Sequence, residues 1–176
     1  MVQTYTGAGY RYAGLSLAPV ATPTDVIVIT GSATKTVWVK RIRITGAATA
    51  AANMPVTAVK RSTIGTVGSA VLTAVAAAKC DSTDGTASGV VSTVGTANYT
   101  TVGTTAGNVG AGRLQMTALT TGLVIVPLEW NFAQNRTDRG IALRGVAEML
   151  CINLGGTALP SGGVIDYEIE TEEVAA

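Results

Sequence analysis

Residues 25–46 read DVIVITGSATKTVWVKRIRITG, and this stretch decides the fold class. Val26–Thr30 is an unbroken apolar run of strand length, the pattern of a strand buried on both faces. Gly31-Ser32-Ala33 has turn chemistry. Thr36–Thr45 then alternates with one slip: Val37 and Val39 fall on one face, Ile42 and Ile44 on the other. One extra residue at Lys40-Arg41, a β-bulge, restores the four apolar residues to a common face and turns the basic side chains outward together. The stretch therefore predicts a long hairpin with a bulge in its second strand.

Outward from that stretch, the chain continues to read as β structure. Pro55–Arg61, Thr86–Thr96, Asn98–Val102, Arg113–Leu119, Leu123–Phe132, Ile141–Gly145, Glu148–Leu154 and Val164–Thr171 have strand composition. Ala47–Met54 and Gly103–Gly112 read as loops, the second loose and glycine-rich. Thr63–Asp84 is the one place with a short helical pattern, through Val71, Leu72, Val75 and the alanines before Lys79. ITGSAT at 29–34 recurs as ITGAAT at 44–49, read as one strand-to-turn solution used twice. The expected fold is all-β: a two-sheet antiparallel β-sandwich, jelly-roll-like, of about eight strands with at most one short helix. It occupies residues 25–176. Residues 1–24, with Tyr5, Tyr10 and Tyr12 among glycines, then Pro19 and Pro23, read as an extended N-terminal arm whose tyrosines pack on a neighbouring subunit.

Composition narrows function by exclusion. At 176 residues the chain is one domain, able to bury roughly 70% of its unfolded surface. Charged residues make up 13%, about half the usual share. A net charge of +1 argues against binding nucleic acid through phosphate neutralisation. There is no His, which removes the commonest general base, the Ser-His-Asp arrangement and His metal sites. Cys80 and Cys151 are isolated and read as reduced, structural residues. No apolar run reaches the ~20 residues of a membrane helix, and no secretory leader is expected.

The motifs that suggest chemistry fail on inspection. GSATKT at 31–36 lacks the glycine before lysine of a phosphate loop, and a strand follows it. GNVGAG at 107–112 has its glycines in the wrong order for a dinucleotide loop. DSTDG at 81–85 is too short for a Ca²⁺ loop. No enzyme, cofactor or metal is expected. The last strand places Asp166, Glu168 and Glu170 on one face, opposite Ile165, Tyr167 and Ile169. A carboxylate row is either solvated or met by cations, and Lys40, Arg41, Arg43, Lys60 and Arg61 are its natural partners within the chain or across a subunit boundary.

Two stretches resemble a known family. LAPVATPTDVIVITGSATKTVWVKRIRITGAATAAANMPVTAVKRST at 17–63 and LRGVAEMLCINLGGTALPSGGVIDYEIETEE at 143–173, somewhat under half the chain, resemble capsid decoration (cement) proteins of tailed bacteriophages. The resemblance lies in the Pro-Thr-Asp before an apolar strand, the ITGSATKT turn, the KRST strand end, Leu-Arg-Gly, and Gly-Gly before an acidic last strand. It implies a β-sandwich virion protein on the outside of the head. Such a protein binds the major capsid protein as a dimer or trimer, stabilises contacts between capsid subunits, and passes through the host cytoplasm during assembly. The partner-binding residues on this reading are Tyr5, Tyr10, Tyr12, Lys40, Arg41, Arg43, Asp166, Glu168 and Glu170, with no nucleic acid and no membrane involved. The alternative is a carbohydrate- or receptor-binding module of a phage head or tail fibre, using aromatics near Trp38 or Trp130.

Overall fold

The structure is a computed structural model, and it describes residues 7–95, 97–118, 125–134 and 138–176. The described residues are all-β with no helix, and their strands are β1 (Ala8–Leu17), β2 (Asp25–Thr30), β3 (Lys35–Ala48), β4 (Ala52–Arg61), β5 (Leu72–Ala74), β6 (Ala78–Lys79), β7 (Val90–Val94), β8 (Thr105–Ala118), β9 (Leu128–Asn131), β10 (Ile141–Arg144), β11 (Met149–Asn153) and β12 (Val164–Ala175).

These strands form one curled mixed sheet in the order β5-β7-β2-β11-β4-β8-β3-β12-β1-β6, with β9 and β10 also on β3. The expected count of about eight strands, all antiparallel, is thus corrected among the described residues. The sheet is hydrogen-bonded throughout, and β8 pairs with β3 in parallel. Its continuity comes from the end of β8, where Met116 lies opposite both Gly46 of β3 and Ala52 of β4. The curl brings both halves of the sheet onto one core. Ile27, Ile29, Val56, Leu114, Leu150 and Ile152 meet Tyr10, Tyr12, Val37, Val39, Ile42, Ile44, Ile165 and Ile169 there.

The hairpin expected over residues 25–46 does not form. Both edges of β2 are taken, by β11 and by β7. A tight two-residue hairpin turn needs a left-handed residue, and none of residues 31–34 has positive φ. The chain instead crosses from one half of the sheet to the other, beside the return crossing between β10 and β11. A Cβ on Gly31 would clash with the Gly145 carbonyl oxygen, so the crossing depends on glycine.

Two details of the opening stretch hold. β2 is buried on both faces, with Ile27 and Ile29 in the main core and Val28 in a second cluster with Met149, Cys151, Val94, Ala70 and Tyr99. The segment between β4 and β8 supplies Ala70 and Tyr99, and so covers the outside of the sheet. The bulge lies where the phase slip put it: Arg41 faces Glu170 and Val39 faces Thr171, leaving Lys40 as the extra residue. Val37, Val39, Ile42 and Ile44 all point into the core.

Other expectations are corrected. No helix forms within 63–84; this stretch carries β5 and β6. A run of three alanines cannot meet the cost of helix nucleation, whereas an extended backbone can pair with β7 and β1. The glycine-rich stretch 103–112 is mostly strand, in β8. Its glycines make room for neighbours: a Cβ on Gly110 would meet the Trp130 ring at 2.9 Å, and one on Gly112 would meet Leu128 at 2.6 Å. Residues 98–102 contribute an isolated bridge, Thr66 to Thr101, rather than a strand. Residues 8–17, expected in a free arm, are a strand of the sheet paired along β12.

The two ends of the sheet are joined by a long hairpin. β5 pairs with β7, the Val75 amide donates to the Val91 carbonyl, and the tip then reaches across to β1. There β6 pairs with Tyr10 and Arg11, and the Cys80 amide donates to the Gly9 carbonyl. Val75 and Ala77 at the crossing pack on the main core.

Candidate functional site

The outer face of β3, β12 and β1 gathers most of the singled-out residues. Because β12 alternates, Asp166, Glu168, Glu170 and Glu172 project outward while Ile165, Tyr167 and Ile169 point inward. The register sets Glu170 between Arg41 of β3 and Arg11 of β1, and Glu168 between Arg43 and Ala13. The carboxylate row therefore lies between two strands that carry cations.

The row is met within the chain. Arg41 Nη2 lies 2.7 Å from Glu168 Oε1 and 3.0 Å from Glu170 Oε1. Arg11, a residue the sequence reading did not single out, bonds Glu170 from the other side. Lys40, turned outward by the bulge, pairs with Glu172. Lys60 pairs with Glu148 and Arg61 with Asp25, away from this row. The cross-subunit pairing of these groups gives way to intrachain pairing, because β12 lies between the basic strands. Asp166 accepts from the Ser16 amide at 2.7 Å and braces the irregular end of β1, where Ser16 has φ of 57°. Arg43 is exposed and makes no ion pair among the described residues. It lines a shallow hollow of about 380 Å³ with Ala13, Gly14, Leu15, Thr45, Asp166, Tyr167 and Glu168. Leu15 is 83% exposed at its rim.

The tyrosines are placed differently from the expectation. Tyr10 and Tyr12 are buried in the chain's own core, so they are not contacts on a free arm. Their hydroxyls donate to the Gly85 carbonyl at 3.0 Å and the Gly89 carbonyl at 3.2 Å. Burial, with the Glu173 carboxylate nearby, pushes the Tyr12 hydroxyl up to about 12 and also raises Tyr10, so both remain neutral donors. Tyr5 lies outside the described residues.

Glu173 is a site residue the sequence reading missed. It faces inward and its side chain is fully buried. Its carboxylate accepts from the Ser88 amide at 2.7 Å, the Gly89 amide at 2.7 Å, the Ser88 hydroxyl at 2.8 Å and Lys35 Nζ at 3.0 Å. Burial pushes its pKa up, but these donors, the Gly89 amide and Lys35 foremost, hold it below the ordinary carboxylate value. The available signal was alternation itself: carried past Thr171, the period of two turns Glu173 inward.

Of the tryptophans, Trp38 is half-buried with the Arg139 guanidinium 5.9 Å from its ring centroid, in cation–π range. Trp130 packs against the core beneath Gly110. Among the described residues no group of three or more Cys, Asp and Glu side chains could hold a metal ion, and no helix is long and apolar enough to cross a membrane.

No family model, no curated protein and no solved structure matches this chain.

Proposed function

We propose that this protein is a bacteriophage capsid decoration protein, which sits on the outside of the head and stabilises contacts between major capsid subunits. One observation carries the reading. The two stretches that resemble such proteins are far apart in sequence but pair with each other in both halves of the sheet, on either side of β8: β11 lies between β2 and β4, and β12 runs the length of β3. A resemblance limited to separate surface pieces would not have this cohesion. On this reading the curled sheet is a jelly-roll-like sandwich in which the two halves act as the two layers.

The docking face is the outer side of β3, β12 and β1. Its ladder of paired charges is nearly neutral, so it presents fixed hydrogen-bonding geometry without strong repulsion. Arg43 and the exposed Leu15 are its free contacts. Assembly as a dimer or trimer, repeated over a symmetric shell, turns modest contacts into avidity.

The test is co-sedimentation with shells of the phage's own major capsid protein. Binding at a fixed stoichiometry is expected, and Arg43→Glu should weaken it at least about tenfold, a change of 1.4 kcal/mol, while the fold is kept. Failure of the wild-type protein to bind shells, together with its absence from purified particles, overturns the proposal.

A further inference from the structure

The β5–β7 hairpin fastens the two ends of the sheet together, through β6 on β1 and through its return arm. The return arm of the β5–β7 hairpin, residues 85–89, is held by three side chains of the opposite half. Tyr10 and Tyr12 of β1 donate to the carbonyls of Gly85 and Gly89. Glu173 of β12 takes both donors of Ser88 and the amide of Gly89. Beneath this arm lies a cleft of about 250 Å³, lined by Tyr10, Tyr12, Val75, Ala77, Ala87 and Lys79 among others.

We propose that the hairpin tip is a flap over this cleft and that Glu173 is its acid-sensitive latch. The physical basis is the donor set. Three of the four donors on Glu173, the Ser88 and Gly89 amides and the Lys35 ammonium, can only donate, and an ionised carboxylate offers only acceptors. Protonation converts one oxygen into a donor facing amide and ammonium hydrogens, so it breaks at least one of these bonds and leaves Lys35 without its counter-charge. The two tyrosine bonds and the two-residue pairing of β6 with β1, with its Cys80 amide bond, remain, but none of them involves a charge.

The charged and titratable groups around the latch are few. Lys35 comes from β3, Tyr10 and Tyr12 from β1, Lys79 from β6, and Asp84 from the tip; Asp84 acts on Lys35 and Tyr10 only through space. Tyr10, Tyr12 and Lys35 are all raised, so none of them changes charge between pH 7 and 3. The Asp84 carboxylate acts on the latch only through space, so Asp84 serves as the control. The release is coupled to one proton, so the open population rises up to about tenfold per pH unit as pH falls from the ordinary carboxylate value of the open state towards the lowered value of the latched state, and levels off below it. Opening uncovers the floor of the cleft and the β1 edge at Tyr10 and Arg11. This inference stands on the fold alone and does not depend on capsid binding.

The experiment is hydrogen exchange resolved by peptide between pH 7 and 3, expressed as protection relative to the unstructured rate. Residues 75–91 of the wild-type protein should lose protection on acidification while β2, β4 and β11 keep theirs. Glu173→Gln should leave residues 75–91 weakly protected at every pH, and Asp84→Asn should behave as wild type. Should Glu173→Gln fail to fold, Ser88→Ala carries the test: with one donor fewer the carboxylate is less stabilised, and the release midpoint moves to higher pH. Loss of protection in all strands together, a pH dependence abolished by Asp84→Asn, or an unmoved midpoint in Ser88→Ala would overturn the latch.

Discussion

Arg61 meets Asp25 side-on in the interior, with Nη2 at 2.8 Å from Oδ1 and Nε at 3.0 Å from Oδ2. Both side chains are almost fully buried. Further bonds hold both ends: Arg61 Nη1 reaches the Gly103 carbonyl and the Thr105 hydroxyl, and the Asn153 amide donates to Asp25. The pair ties the start of β2 to the end of β4 and to the segment that covers them. Asp25→Ala would strand a buried guanidinium and should cost about 3–5 kcal/mol. Asp25→Ala combined with Arg61→Met should recover part of that loss, because the uncompensated charge is then gone. Urea unfolding of the two variants checks both statements.

The Lys40 bulge gives a sharper test than any point substitution. Val39 and Arg41 lie in phase with β12 on either side of it. Deleting Lys40 should therefore leave every core residue facing inward. The loss is a partly exposed ion pair with Glu172 and the bond from the Phe132 amide to the Lys40 carbonyl, on the order of 1–2 kcal/mol together. Deleting Arg43 from the regular part of the same strand reverses the phase of its neighbours. At least one of Ile42 and Ile44 is then forced outward, at about 1.5–3 kcal/mol per side chain before strain is added. Thermal unfolding should rank the deletions in that order.

Stability should fall in acid, with a sign fixed by two carboxylates. Glu173 and Glu148 are both held below the ordinary value: burial pushes each up, and hydrogen bonds from Gly89, Lys35 and Ser88 in one case, and from the Arg144 amide and Lys60 in the other, outweigh it. A lowered folded pKa contributes stability above the unfolded value of about 4.5, and this is lost as pH falls through the folded values. In alkali the sign is opposite for Tyr12 and Tyr99, which burial raises to about 12. Their contribution is full below about pH 10 and declines above it, as the unfolded state sheds protons first. Urea midpoints measured from pH 3 to 11 should form a plateau with both shoulders, and Glu173→Gln should flatten the acid one.

The two thiols should separate cleanly. Cys80 is exposed and Cys151 buried, and neither is in a disulfide. Burial, aided by the Asp25 carboxylate, pushes Cys151 up to about 12, so it stays protonated and inert. A thiol reagent should titrate one cysteine in the native protein and both in denaturant. Rapid native labelling of both would mean that the cover over β2 and β11 opens readily.

Local pattern alone determined a good deal of this protein. The all-β class, the double burial of Val26–Thr30, the bulge at Lys40 and the inward and outward sides of β12 follow from the period of two, which each strand carries in its own residues. Pairing was not legible in the same way. β2 and β3 read as a hairpin because they are neighbours in sequence, but which strand fills an edge depends on residues more than a hundred positions away, in β11 and β12. The same non-local competition turned the alanine-rich stretch at 76–78 into a crossing, made a strand of glycines beneath Trp130 and Leu128, and drew Tyr10 and Tyr12 into the core. Glu173 shows the division most clearly. Its inward direction was written in the alternation of β12, but its donors come from a hairpin tip and from β3. Only the closing of the sheet brings those donors to it.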